Sequence, residues 1–165
     1  MTSVSIDFSA GKLTAEGKKR VAHTLFEKGK SFLRASAHLR KEEGYEFVIL
    51  HLLCQGMEIT LKAYLLYADY DKYSTQLKAI GHDLEKLAKI CSTEYQISVG
   101  RKELLDELSK LNALYLNHIL RYGYGSVLDI LEDPKTIRSG RVGWRLIASV
   151  RLANYLLGIS RGAIN

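Results

Sequence analysis

The feature that most constrains this chain is a long apolar run at residues 45–70, YEFVILHLLCQGMEITLKAYLLYADY. Its apolar residues recur at the three- to four-residue spacing of a helix and show no strand-like alternation. One face is traced by Leu50, Cys54, Met57, Leu61, Tyr64 and Ala68, and it is widened by Phe47, Val48, Leu53 and Leu65. A helix this broadly apolar is expected at the centre of a fold, with neighbours on several sides.

Weaker helical patterns lie on both sides of this run. The first is predicted over residues 14–44, where Thr14 can cap the helix and the apolar repeat includes Val21. Residues 1–12 resemble an extended arm. The stretch DYDKYSTQLKAIG at residues 69–81 is so polar that a connection, with at most a short turn, is expected there.

Three more helices are predicted after this connection. One starts at His82 or Asp83, another spans residues 101–122, and the last spans residues 142–158. Proline is unfavourable inside helices, and the chain has only Pro134. We therefore expect an all-α, antiparallel up-and-down bundle of about five helices. It forms one domain over residues 13–165 after the N-terminal arm.

Charge and cysteine usage narrow the classes of function. The net charge of +6 and the pI near 9.3 suit an anionic partner without requiring one. No leader pattern opens the chain and no fully apolar run reaches ~18 residues, so a cytoplasmic protein without membrane spans is expected. Cys54 and Cys91 fall in apolar stripes and are predicted to be buried free thiols.

Signatures of a metal, a cofactor or an established catalytic site do not occur in the sequence. The five histidines are dispersed and the cysteines lack metal-ligand spacing. No Gly-rich phosphate loop, zinc-protease helix or nucleophile elbow is found. We predict neither a metal site nor a cofactor.

The central helix carries two charged residues one turn apart, Glu58 and Lys62. This spacing and order favour a helical ion pair at the edge of the core. Alternatively, the pair lines a polar groove that binds a ligand, because a charge among apolar neighbours needs a partner. His82 is similarly open to two interpretations. It packs at the start of a helix, or it binds phosphate beside free helix N-terminal amides.

The stretch LNHILRYGYG places His118, Arg121 and Tyr122 where the fourth predicted helix ends. His118 lies on an apolar stripe, which is typical of a core histidine, and its spacing also lets it face the same way as Arg121. Arg121 either caps the negative end of the helix dipole or grips a phosphate or carboxylate. Tyr122 either packs or stacks on a base.

Basic residues form two further groups. Arg138, Arg141 and Arg145 make a basic patch near the C-terminus, and Lys18, Lys19 and Arg20 lie near the start. Each group is either a solvated face or a strip that contacts phosphates.

Three segments together resemble the HEPN domain family, namely LHLLCQGMEITLKAYLLY, GHDLEKLAKIC and LYLNHILRYGYG. They supply in order an E-x-x-x-K run, a helix opened by His-Asp-Leu and a helix that ends in Arg-Tyr. The resemblance implies a helical bundle that forms a homodimer. It also implies a role in defence or in a toxin–antitoxin pair, with a nucleotidyltransferase-type partner protein.

Many HEPN proteins are metal-independent RNases whose active motif is an Arg followed four to six residues later by a His. Arg121 matches that Arg, but no histidine follows it in this chain. The resemblance therefore predicts a dimeric binding module for an anionic ligand, which is RNA, a nucleotide or an acidic protein. Two alternatives stay open: an RNase that uses His118 and Arg121 in a rearranged site, and a structural interaction bundle without a ligand.

Overall fold

The computed structural model describes residues 13–96 and 102–122. They form helices only, without a strand, which confirms the all-α prediction for this part of the chain. The predicted arm at 1–12 and the predicted helix at 142–158 lie outside the described residues. The helices are α1 Ala15–Lys41, α2 Glu46–Ala68, α3 Tyr70–Ile80, α4 Leu84–Tyr95, α5 Lys102–Leu116 and α6 Ile119–Tyr122.

The apolar run forms α2, and α2 is the central element. It contacts each of the other five helices, and its residues Cys54, Met57 and Leu65 are at most 1% exposed. Among the described helices, α2 alone is long and apolar enough to span a membrane, but 67% of its apolar window is buried inside the bundle. Core packing therefore accounts for its hydropathy.

Helices α1 and α2 approach closely because small residues line their contact. A Cβ atom added to Gly29 would lie 2.9 Å from the backbone nitrogen of Thr60, closer than side chains approach. Gly56 has the reverse role and receives the side chain of Leu33. The hydroxyl of Ser36 donates to the carbonyl of Ile49 at 3.0 Å. This contact fixes α1 along one side of α2. The side of α1 that faces away from α2 stays exposed.

The prediction of a loop at residues 69–81 was wrong, because these residues form α3. Asp69 caps this helix, with its carboxylate accepting from the backbone nitrogen of Lys72 at 3.0 Å. Two well-spaced apolar residues, Tyr73 and Ile80, supply the buried side, at 2% and 7% exposure. A short helix with only two anchors is polar overall, and its composition therefore resembled that of a loop.

The predicted fourth helix is interrupted near its end. Helix α5 stops at Leu116, and His118 takes a left-handed backbone conformation with φ 57° before α6 begins. That conformation is costly for a residue with a Cβ and cannot continue an α-helix. The break turns the chain so that Leu120 is buried at 4% exposure while Arg121 stays exposed.

Other local predictions had mixed outcomes. Thr14 caps α1 by accepting from the nitrogen of Gly17 at 3.1 Å, and both cysteines are buried free thiols. Val21, placed on the inner stripe of α1 by the sequence, is 39% exposed, and its neighbour Ala22 is buried instead. The inner face of α1 is made largely by small residues, among them Ala22, Gly29 and Ser36.

Candidate functional site

A buried carboxylate on α2 organises the polar part of the bundle. Glu58 has only 7% of its side chain exposed and accepts hydrogen bonds from groups on three helices or turns. Lys62 donates from its Nζ at 2.6 Å, and the hydroxyl of Tyr115 donates at 2.6 Å. The Nδ1 of His82 lies 3.0 Å from Oε2 and 3.1 Å from Oε1. These four residues are called the Glu58 cluster.

The electrostatics of the Glu58 cluster keep the carboxylate ionised. Burial acts to raise the pKa of Glu58, but the hydrogen bonds from Lys62, Tyr115 and His82 outweigh it and hold the pKa below its usual 4.5. The phenol of Tyr115 responds in the opposite sense, and its pKa is raised by burial and by donation to this carboxylate. Tyr115 is therefore a donor, not an acid or a nucleophile, near neutral pH.

The start of α4 is attached to the cluster through Asn112 on α5. Asn112 is 4% exposed, and its side-chain oxygen accepts from the backbone nitrogen of Leu84 at 2.8 Å. Its Nδ2 atom lies 3.0 Å from carboxylate oxygens of both Asp83 and Glu85. Asn112 therefore holds the same turn whose preceding residue, His82, contacts Glu58.

This turn depends on local chain geometry as well as on the amide of Asn112. Gly81 ends α3 with φ 67°, a conformation that side-chain-bearing residues rarely adopt. Asp83 then caps α4 by accepting from the nitrogen of Lys86 at 2.9 Å. With Asp83 as the cap, the imidazole of His82 is directed to Glu58.

A second imidazole, His51, lies beside the cluster. Its ring centroid is 5.8 Å from that of Tyr115, whose other neighbour is His82 at 6.2 Å. Its Nδ1 is buried without a hydrogen-bond partner in the part of the chain that the structure describes. Burial, and secondarily the charge of Arg121, lower the pKa of His51, while Glu58 opposes them. A neutral imidazole therefore lies within the electrostatic field of a guanidinium.

Arg121 lies at the edge of this arrangement, on α6, and is exposed. Within the described residues, no carboxylate approaches it within the 4.0 Å of an ion pair. Its charge acts on both His51 and Tyr115. It is thus an exposed cation at the negative end of a short helix, and its charge helps to lower the pKa of His51.

The remaining predicted site residues fall into different positions. His118 is exposed at the break between α5 and α6, so its interpretation as a core histidine was wrong. Its backbone carbonyl accepts from the nitrogen of Arg121 at 2.9 Å. Tyr122 is the last residue of α6, and the structure describes its backbone only. The predicted basic patch lies outside the described residues: Arg138, Arg141 and Arg145.

Sequence reasoning identified Glu58, Lys62 and His82, which the fold brings together, but it missed the polar residues of α5. Tyr115 was interpreted as part of an apolar stripe, and Asn112 received no role. Their spacing of three residues, on the same helix face as Leu108 and Leu111, was the available signal. His51 was equally detectable, because it lies two helical turns before Glu58 on α2. Among the described residues, no group of three or more metal-ligating side chains occurs.

The sequence was compared with models of known protein families. The model of the HEPN domain matches residues 22–133, about two thirds of the chain. The chain belongs to the HEPN family. The matched span contains most of α1 and all of α2–α6, so it includes the Glu58 cluster, His51 and Arg121. Neither the curated proteins nor the solved structures provided a match to this HEPN domain.

Proposed function

We propose that this HEPN domain is a binding module for a phosphate-bearing ligand, RNA or a nucleotide, held at the edge formed by Arg121. One observation carries the proposal. Arg121 is exposed, and no carboxylate among the described residues neutralises it. A guanidinium in this state offers paired N–H donors that match the geometry of phosphate oxygens.

The surroundings of Arg121 favour a ligand over a purely structural cap. The lowered pKa of His51 keeps its imidazole neutral, so it does not repel the guanidinium of Arg121. A neutral imidazole can also form a hydrogen bond with a hydroxyl group of the ligand, as donor or as acceptor. Beneath it, the Glu58 cluster fixes α2, α4 and α5 relative to one another through four polar side chains. The cluster thus has a positioning role, and Glu58 and Lys62 satisfy each other without contacting the ligand.

The experiment uses a labelled dinucleotide, pUpU, which is too short to span a large surface. We expect Arg121→Ala to weaken its binding at least tenfold, since a hydrogen bond to a charged group contributes about 1.5–3 kcal/mol. Arg121→Lys keeps the charge but loses the paired donors, so intermediate binding is expected. Lys89→Ala is the matched control, because it removes an exposed cation from α4. Equal affinity of the wild type and Arg121→Ala would contradict the proposal.

Homodimer formation is part of the same proposal. Exposed apolar side chains lie at the end of the bundle that carries His51: Tyr45 at 66%, Val48 at 43% and Leu116 at 41% exposure. Exposed apolar residues that lie close together often mark an interface. Light scattering should give a dimer that Val48→Asp converts to a monomer, whereas Tyr67→Asp, on the last turn of α2, should leave it unchanged. A monomeric wild type would remove dimerisation from the proposal.

A second candidate function, metal-independent cleavage of RNA, is favoured by the charge of Arg121 acting on the half-buried imidazole of His51. In such a reaction the 2′-oxygen attacks the adjacent phosphorus as its proton passes to a neutral imidazole. The P–O5′ bond breaks, and the departing oxygen takes a proton from water. The guanidinium stabilises the charge on the phosphate. The charge of Arg121 acts on the imidazole of His51, so His51 joins His118 as a candidate for this proton transfer.

Cleavage of a uniformly labelled RNA in EDTA separates the two functions. Cleavage lost in both His51→Gln and Arg121→Ala, but kept in His118→Gln, would establish the RNase. Dinucleotide binding without cleavage would establish the binding module. The defence or toxin–antitoxin context and the nucleotidyltransferase-type partner stay predictions from the family resemblance, and the cytoplasmic location stays a prediction from the sequence.

A further inference from the structure

The net charge of the chain is concentrated in α1. This helix carries eight lysines and arginines against two glutamates, a net charge of +6, which equals the net charge of all 165 residues. The rest of the chain carries sixteen basic and sixteen acidic residues. The basic character of the protein is therefore a property of one helix and not of its surface in general.

Six arginine, lysine and histidine side chains of α1 form a line on its outer side, called the α1 ridge. Its members are separated by three, seven, four, four and three residues, which keeps them on one helix face. Its members are Arg20, His23, Lys30, Arg34, His38 and Lys41. The buried residues of α1, such as Ala22, Gly29 and Leu33, lie on the other side. At ~1.5 Å per residue, the ridge is about 32 Å long.

Part of this charge is unpaired. Lys18 bonds to Asp71 at 2.5 Å, Arg20 to Glu16 at 3.1 Å and Lys30 to Glu27 at 2.5 Å. The other cations of α1 have no carboxylate within ion-pair distance among the described residues: Lys19, Lys28, Arg34, Arg40 and Lys41. All five are exposed. The acidic pair Glu42 and Glu43 follows directly and limits the ridge at its C-terminal end.

We propose that the α1 ridge binds the phosphodiester backbone of a nucleic acid, independently of base sequence. The ridge spreads four cations and two histidines, which can donate hydrogen bonds, over about 32 Å, and a nucleic-acid strand presents one phosphate charge per ~3.4 Å along such a length. This surface is separate from the Arg121 edge, which lies on α6, and extends beyond the proposed binding of a short ligand there. In this arrangement α1 holds a long nucleic-acid strand.

Other occupants fit the ridge less well. A membrane-surface helix needs a free apolar face, and the apolar face of α1 is covered by α2. Val21 is the only large apolar side chain of α1 that the structure shows exposed. That lack of apolar anchors also disfavours a protein partner, whose interface would centre on buried aromatic or apolar residues. A second copy of this chain would bring like charges together.

The test compares two doubly substituted full-length proteins. Arg34→Gln with Lys41→Gln removes the two unpaired cations of the ridge, and Lys78→Gln with Lys89→Gln removes two exposed cations from α3 and α4. Binding of a labelled 20-nucleotide oligo-uridine is measured by anisotropy from 50 to 300 mM NaCl, with oligo-thymidine of equal length in parallel. The two variants have the same net charge. A difference in their affinity therefore reports contacts at the ridge and not the general electrostatic attraction between protein and nucleic acid.

We expect the ridge variant to bind the oligonucleotides roughly tenfold more weakly at 0.1 M salt. Its slope of log affinity against log salt should fall by about 1.4, since each phosphate contact on a single strand contributes about 0.7. The control variant should match the wild type. Equal losses in both variants would overturn the proposal, as would binding to vesicles of phosphatidylcholine with 30% phosphatidylserine but not to either oligonucleotide. Arg121→Ala tested on pUpU addresses the other site, so each proposal can fail alone.

Discussion

The hydroxyl of Tyr115 on α5 donates to Oε2 of Glu58 on α2 at 2.6 Å. The two residues are 57 positions apart in the sequence, and their bond crosses the interface between the two helices. The bond joins a phenol and a carboxylate that are both largely buried. Without it, Glu58 would depend on Lys62, a neighbour on its own helix, and on His82, whose side chain is 53% exposed. The Tyr115 bond thus links the charge of α2 to the position of α5.

Replacement of Glu58 by Ala should reduce folding stability more than ligand binding. The substitution leaves Lys62 and the hydroxyl of Tyr115 without their acceptor, and breaking a buried pair costs about 3–5 kcal/mol. Urea denaturation would measure the loss. Glu16→Ala removes an exposed carboxylate that is also paired at i+4, so it should change stability by less than about 1 kcal/mol. Unchanged stability together with lost pUpU binding would reassign Glu58 to the ligand site.

Replacement of Asn112 by Asp should be more harmful than replacement by Ala at pH 7. Asp would place a third carboxylate within hydrogen-bond distance of Asp83 and Glu85, whereas Ala only removes the bonds. We expect a loss of about 1–3 kcal/mol for Ala from the unpaired buried groups. The difference between the two variants should shrink as the pH is lowered towards 4 and the introduced carboxylate at position 112 becomes protonated. Thermal melts at both pH values would measure it, and a pH-independent difference would contradict the repulsion.

The titration of His51 gives a pH dependence of stability with a defined sign. Its pKa in the folded state lies below 6.5, so the unfolded chain binds the proton more readily. The stabilising contribution is therefore complete above pH 6.5 and is lost as the pH falls towards the folded pKa. Glu58, whose pKa is depressed below 4.5, contributes a further loss at lower pH.

His51→Phe keeps an aromatic ring beside Tyr115 but cannot titrate. Its stability should fall less than that of the wild type between pH 7 and pH 5, as measured by urea midpoints. His23→Phe, on the exposed side of α1, is the control and should retain the wild-type profile. Parallel profiles of the wild type and His51→Phe would show that His51 is not held neutral.

Replacement of Gly29 by Ala should separate α1 from α2. The new Cβ would lie 2.9 Å from the backbone nitrogen of Thr60 and 3.1 Å from the carbonyl oxygen of Gly56. Backbone atoms cannot rotate away, so we expect a destabilisation of about 1–3 kcal/mol despite the better helix propensity of Ala. Ser31→Ala, on the exposed side of α1, should have no such effect. Equal melting temperatures for the two variants would contradict the close approach.

Local sequence patterns were sufficient where one helix face decides the structure. The apolar repeat identified α2, and Thr14 and Asp83 fit the helix starts that the structure contains. They were insufficient for α3, where two buried residues, Tyr73 and Ile80, outweigh a polar composition. The break at His118 was also missed, because the apolar spacing continues through it to Leu120.

The sequence by itself determined that this chain is a HEPN-type helical bundle around α2. It also determined that Glu58 can pair with Lys62, since both properties follow from residue spacing along one helix. Tertiary structure alone decided that Tyr115 and His82 converge on Glu58, that Asn112 holds the turn before α4, and that the charge of Arg121 acts on His51. Helical spacing indicates which residues share a face, but only helix packing determines which faces meet.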